Sequence, residues 1–231
     1  MLVASVAVAA TVAGGGPATA AVSAVSGGAF GAQVRGLVKV GPLPSVTLPA
    51  SGGGPFTNSL LTVNVPGTLQ TDLLITKTAG ATGATGFSES SATVADVRVG
   101  TGVVTADAVS SQCRADSTGS TGSTELVNAR VGGVTVNGAV APNTTINLSP
   151  VAIVLNEQIV NNSSSNTSII VNAIRVVLFP TNPLLRQDVI VGQSRCSARI
   201  VTTPTTRAPT TTTLPPTTST THSPTCPVSC P

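Results

Sequence analysis

The chain has 231 residues, 11 Lys and Arg against 8 Asp and Glu, and 8% charged residues, where an ordinary soluble domain has about 25%. At 41% hydrophobic it can bury a core, which excludes wholesale disorder. Its basic residues are spread singly and aromatics are 2%, so it lacks the electrostatic footprint and stacking platform of a nucleic-acid binder. The one His, His222, lies near the C-terminus, which leaves the body without an imidazole for a Ser-His-Asp site or a His-ligated zinc. With no Trp or Tyr, it also lacks the flat aromatic face of a typical sugar-binding module.

Leu2 to Ala13 is an almost unbroken apolar run, ended by Gly14-Gly15-Gly16-Pro17. Ala18-Thr19-Ala20 follows and gives the small-residue pattern of a signal-peptidase site, so residues 1–20 read as a secretory leader cut between Ala20 and Ala21. No Lys or Arg precedes the apolar run, which points to a start further upstream or a trimmed chain. The run is too short to span a bilayer, which takes about 20 apolar residues, and no transmembrane segment is expected elsewhere. Residues 21–28 are expected to be a flexible lead-in.

From Ala29 to Val201 the pattern has period two, the mark of strands. Leu60 to Val65, Thr93 to Val99, Val103 to Cys113, Val134 to Asn137, Val151 to Val160, Ile169 to Leu178 and Asp188 to Val191 are the predicted strands. Clusters of Gly, Pro, Asn and Ser separate them, as in an antiparallel β-sandwich or a barrel-like single domain. Three segments share a rhythm of small residues and an Arg: Val94 to Gly100 with Arg98, Val127 to Gly132 with Arg130, and Val171 to Val176 with Arg175. They read either as equivalent strands with the Arg facing solvent or as Val-rich strands alike by composition.

Phe30-Gly31-Ala32, Gly36 to Pro42, Thr105 to Cys113, Leu126 to Gly133, Ala141 to Ile146, Leu155 to Gln158 and Val191 to Cys196 occur in an order that resembles the bacterial choice-of-anchor P family. The resemblance covers residues 29 to 197. It implies a secreted, surface-displayed β domain with interchangeable C-terminal anchors, and no established activity.

The eight acids are Asp72, Glu89, Asp96, Asp107, Asp116, Glu125, Glu157 and Asp188. A glycosidase needs two carboxyls facing across a cleft. Asp107 and Glu157, both in strands within family-like motifs, are the pair to test, against a plainer role as surface charges or salt-bridge partners. No D-x-D-x-D run suggests calcium, and no cofactor is expected. The sequons at Asn143, Asn147, Asn161, Asn162 and Asn166 read as polar turns.

Residues 202–231 are dominated by Thr and Pro and are expected to form a disordered, extended stalk. They end in the pair Cys226 and Cys230. Four cysteines allow three pairings. Sequence proximity favours Cys226 with Cys230, which leaves Cys113 with Cys196; the alternative is that the latter two are reduced, separately buried thiols.

The function expected from these features is a secreted or cell-wall-associated, non-catalytic β module for display, adhesion or wall matrix, with an unidentified extracellular partner. The competing expectation is a carboxylate-based extracellular hydrolase acting on a polysaccharide. The side-chain inventory favours the first.

Overall fold

The computed structural model describes residues 19–203. The apolar run of the leader, the Thr/Pro-rich segment from Pro204 and the pair Cys226 and Cys230 lie outside the described residues.

The body is all-β, with no helix among the described residues. Its strands are β1 (Thr19–Gly36), β2 (Val40–Leu48), β3 (Gly52–Leu60), β4 (Val63–Val65), β5 (Leu69–Thr71), β6 (Leu74–Ala81) and β7 (Phe87–Val99). They continue with β8 (Val104–Asp116), β9 (Ser120–Val131), β10 (Val134–Ala139), β11 (Thr144–Leu148), β12 (Val151–Asn162), β13 (Asn166–Leu178) and β14 (Gln187–Thr203). A six-stranded antiparallel sheet has the order β11-β12-β13-β14-β1-β2. An eight-stranded sheet runs β10-β9-β8-β7-β5-β4, with β6 on the other half of β7 and β3 beyond it. The two sheets pack as an open sandwich, with β14 over β7 and β8, β13 over β8 and β9, and β1 over β6 and β7.

Four sequence expectations are corrected. Residues 21–28 are not a lead-in but the first half of β1, an interior strand paired with β14 on one side and β2 on the other. Val22 and Val25 on this segment are buried, and Val22 exchanges two backbone hydrogen bonds with Gly83 in the β6–β7 connection. Among the described residues β structure is therefore present from Thr19, ahead of Ala29, and Ala20 and Ala21 lie within β1. Leu60 to Val65 is two strands: Leu60 pairs with Leu74, whereas Val63 pairs with Thr71. Cys113 does not end its strand and the last strand does not stop at Val191, since β8 continues to Asp116 and β14 to Thr203. Of the sequon residues, Asn143 precedes β11 with a φ of 57°, and the other four lie in strands.

Simple alternation fails midway along the strands, and it fails at the same height in each sheet. Val94 and Val97, Ala106 and Val109, and Leu126 and Ala129 all face inward although three positions apart. Leu155 with Gln158, Val171 with Ile174, and Val191 with Ser194 repeat the step in the six-stranded sheet, where Gln158 reaches inward to the Gly122 carbonyl. Left-handed residues make the step in alternate strands: Asp96 (φ 49°) in β7, Asn128 (49°) in β9, Asn156 (50°) in β12 and Gly192 (64°) in β14. Asp, Asn and Gly are the residues that enter this region at least cost. Neighbouring strands step together, so β7 with β8 and β8 with β9 keep one register across the kink. The shared rhythm is thus real for two copies, in which the left-handed residue stands two positions before Arg98 or Arg130. These arginines flank Thr105 in one exposed row. The third copy, around Arg175, lacks the left-handed residue.

The core is aliphatic. None of the four Phe is buried, and the interior is filled by residues such as Leu69, Leu74, Val94, Leu126, Ile153, Leu155 and Ile174, each contributing about 1.5–3 kcal/mol on burial. Toward the end where β1 begins and β14 ends, a second apolar cluster that includes Val22, Val25, Leu48, Ile169 and Val171 is joined by small and polar groups. Thr78 and Ser90 hydroxyls meet at 2.8 Å, the Gly28 amide donates to Ser90 Oγ at 3.0 Å, and Ser88 donates to the Ser26 carbonyl at 2.9 Å. A Cβ on Gly27 would stand 2.7 Å from Ser88 Oγ, so β1 approaches the second sheet here because residue 27 has no side chain. The disulfide Cys113–Cys196 joins the sheets in the same region, with Cα atoms 5.9 Å apart, where face-to-face sheets normally stand about 10 Å apart.

Candidate functional site

A groove of about 600 Å³ lies on the outer face of the eight-stranded sheet. Its floor follows from the pleat: successive residues of a strand point to opposite faces. In β6 to β9, the inward set near this groove is Thr78, Ser90, Cys113 and Gly122, and the outward set is Lys77, Glu89, Ser91, Gln112, Arg114, Thr121 and Ser123. Cross-strand pairing lines Lys77, Ser91, Gln112 and Ser123 into one row, and Ala79, Glu89, Arg114 and Thr121 into the next. Pro55 of the edge strand β3 forms a wall.

The charges on this floor are unequal in freedom. Arg114 is fixed: it donates to Glu89, donates through Nε to Asp116 at 3.4 Å, and lies over the Phe87 ring at 4.6 Å. The hydrogen bond to Glu89 is the main reason its pKa lies above the ordinary value. Asp116 sits at the β8–β9 turn, where the Thr118 hydroxyl and amide donate to its Oδ1 at 2.6 and 2.9 Å. The hydroxyl bond is the main cause of a carboxyl pKa below the ordinary value, with Arg114 adding to it. Lys77 forms no ion pair among the described residues. Gln112 Nε2 donates to Ser123 Oγ at 2.9 Å, while Ser91 and Thr121 make no side-chain hydrogen bond among the described residues.

The two carboxylates singled out from the sequence are not brought together. Asp107 lies on the outer face of the eight-stranded sheet, where Asn128 Nδ2 donates to its Oδ2 at 2.7 Å. It shares a shallow hollow of about 300 Å³ with Asp96, Arg98 and Thr105. Glu157 is on the outer face of the six-stranded sheet, on the other side of the sandwich. Arg175 Nη1 donates to its Oε1 at 2.8 Å, and Asn172 Nδ2 to its Oε2 at 2.6 Å. Arg175 also binds Asp188, with Nη2 to Oδ2 at 2.7 Å and Nε to Oδ1 at 3.0 Å. Asp188 first, and Glu157 second, raise the Arg175 pKa above its ordinary value. Glu157 is a member of a structural ion-pair network, and no catalytic cleft lies between it and Asp107. Among the described residues no three His, Cys, Asp or Glu side chains cluster to hold a metal.

The groove residues escaped the sequence reading because Ser, Thr, Gln and Lys at alternate strand positions are what any solvated sheet face carries. The available signal was the outward register of β6 to β9, which places polar side chains from four strands side by side.

No family model matches the chain, and no curated protein matches it in sequence. Among solved structures, the attachment invasion locus protein Ail of Yersinia pestis aligns with 79% of this chain and 99% of its own length, at 7% identity and a TM-score of 0.18. At that score the alignment carries no structural or functional argument.

Proposed function

We propose that the chain is a secreted or cell-surface, non-catalytic β module for display, adhesion or wall matrix, with the polar groove as its binding face. The observation that carries this reading is the disulfide Cys113–Cys196, which ties the two sheets through the interior. Structural disulfides form and persist in oxidising compartments and are rare where thiols are kept reduced. The leader pattern through Ala20, the Thr/Pro-rich segment and the resemblance to the choice-of-anchor P family support the same location. The non-catalytic part rests on the carboxyls: Glu89, Asp116, Glu157 and Asp188 are engaged by arginines, and Asp107 by Asn128.

The test is fractionation of a bacterial host that expresses the full chain, combined with alkylation before and after reduction. The expected result is chain outside the cytoplasmic membrane, digestible by protease added to intact cells, with Cys113 and Cys196 alkylated only after reduction. Cytoplasmic chain with both thiols free would overturn the reading.

A further inference from the structure

We propose that the groove binds a carboxylate-bearing polysaccharide, with a sugar carboxylate at Lys77 and neighbouring hydroxyls on Ser91, Gln112, Thr121 and Ser123. The inference deepens the binding-module reading and rests on it.

Three features of the groove select this ligand class. Its floor is crowded with hydroxyl and amide groups from four adjacent strands, an array suited to a hydroxyl-rich chain laid across the sheet. Ser91 and Thr121 have no side-chain partner in the protein among the described residues, and Gln112 spends one donor on Ser123, so acceptors and donors remain for a ligand. Each such bond replaces one to water and nets only about 1 kcal/mol, and no Trp or Tyr is available to stack on a sugar face. A neutral glycan would therefore bind feebly, and a charge is needed as anchor.

Lys77 is the charge that is free to act. Glu89 and Arg114, the other charged residues of the lining, satisfy each other. A uronate polymer offers more free hydroxyls per charge than a glycerol phosphate polymer, so the hydroxyl- and amide-lined floor favours a uronate-type polymer over a phosphate polymer, although both combine anions with hydroxyls.

The experiment uses the oxidised mature chain and measures binding by titration calorimetry at low and at physiological ionic strength. The probes are polygalacturonate, a highly methyl-esterified form of the same polymer, and polyglycerol phosphate. Polygalacturonate is expected to bind, weakening with salt because the anchor is an exposed charge. Esterification should abolish binding, and polyglycerol phosphate should bind less well. Lys77→Gln is expected to weaken polygalacturonate about fivefold with melting unchanged, while Lys39→Gln, in the exposed β1–β2 loop, leaves binding unchanged. Equal binding of the esterified polymer, preference for polyglycerol phosphate, indifference to Lys77→Gln, or absence of binding to all three would each overturn the proposal. A chain that is exported and oxidised but binds none of them would defeat the ligand assignment and leave the module reading intact, because export and disulfide state are measured independently.

Discussion

Asp96 and Asn128 stand at the same height on either side of β8, each left-handed with a φ of 49°, and Asn128 bonds the Asp107 side chain of the strand between them at 2.7 Å. A left-handed non-glycine residue is costly unless its side chain is small and polar. Asp96→Gly should therefore leave stability nearly unchanged. Asp96→Val should cost about 1–3 kcal/mol, since a β-branched side chain crowds the backbone there. Denaturant melts of the two variants check this, and equal stability for Val and Gly would refute it.

The bond between Cys113 and Cys196 spans 83 positions of sequence. On the chain-entropy estimate it is worth about 4.5 kcal/mol through its effect on the unfolded chain. A large share of a typical stability of about 5–15 kcal/mol is at stake. The double variant Cys113→Ser, Cys196→Ser should lose most of that amount in a denaturant titration and should match reduced wild type. Peptide mapping without reduction should recover the 113–196 linkage.

The N-terminal boundary is testable by truncation. A chain starting at Ala21 loses the pairs Thr19 with Thr203 and Ala20 with Thr202, both at the frayed end of the sheet, and should fold and melt like the longer form. A chain starting at Ala29 loses the buried Val22 and Val25, the strand beside Cys196, and the hydrogen bonds to Gly83. It should fail to give a cooperative melt. Retention of a sharp transition would show that this half of β1 is dispensable.

Asp116 gives the fold an acid-sensitive turn. Its pKa is lowered in the folded state, chiefly by the Thr118 hydroxyl, so the protein binds the carboxylate form more tightly than the unfolded chain does. That contribution is complete above the unfolded value of 3.8 and is lost as pH falls through the lower, folded value. Thr118→Ala should cost about 0.5–1 kcal/mol at neutral pH, and the gap to wild type should close on acidification below about pH 4. A gap constant down to the lowest pH would contradict this linkage.

Arg175 holds two carboxylates that are each mostly covered, Glu157 and Asp188. Arg175→Met keeps the length of the side chain but leaves the two acids side by side without a counter-charge. It should cost about 1–3 kcal/mol, below the range for a fully buried pair because the guanidinium is part-exposed. Arg175→Lys should recover only part, since an ammonium cannot span both carboxylates with the forked geometry seen here. Thermal melts at neutral pH distinguish the three proteins.

Strand identity was written locally. Val, Ile and Thr at alternate positions from Thr93 to Val99 or Ile169 to Leu178 report a half-buried pleated segment whatever their partners are, because side-chain alternation is a property of one strand. The secluded pair Cys113 and Cys196 was also approachable from sequence, by elimination against two cysteines close together near the C-terminus. The first half of β1, expected as a lead-in over residues 21–28, was missed, and Gly27-Gly28 lies at its end. A glycine pair reads as a loose joint, and only the hydroxyls of Thr78, Ser88 and Ser90 from distant strands show that bare backbone is needed there for the sheets to approach. The step at Asp96 and Asn128 was visible as a rhythm but not interpretable, and the one at Asn156 and Gly192 was not visible. Its meaning is that adjacent strands change face together, which depends on register between segments far apart in sequence. For the same reason the sequence alone could nominate Asp107 and Glu157 but not place them on opposite outer faces, and could not set Lys77 beside Ser91, Gln112 and Ser123. Composition and alternation determined that this chain would be an all-β body; non-local pairing decided which side chains share a surface, because a strand's neighbours are chosen by the packing of the whole sandwich.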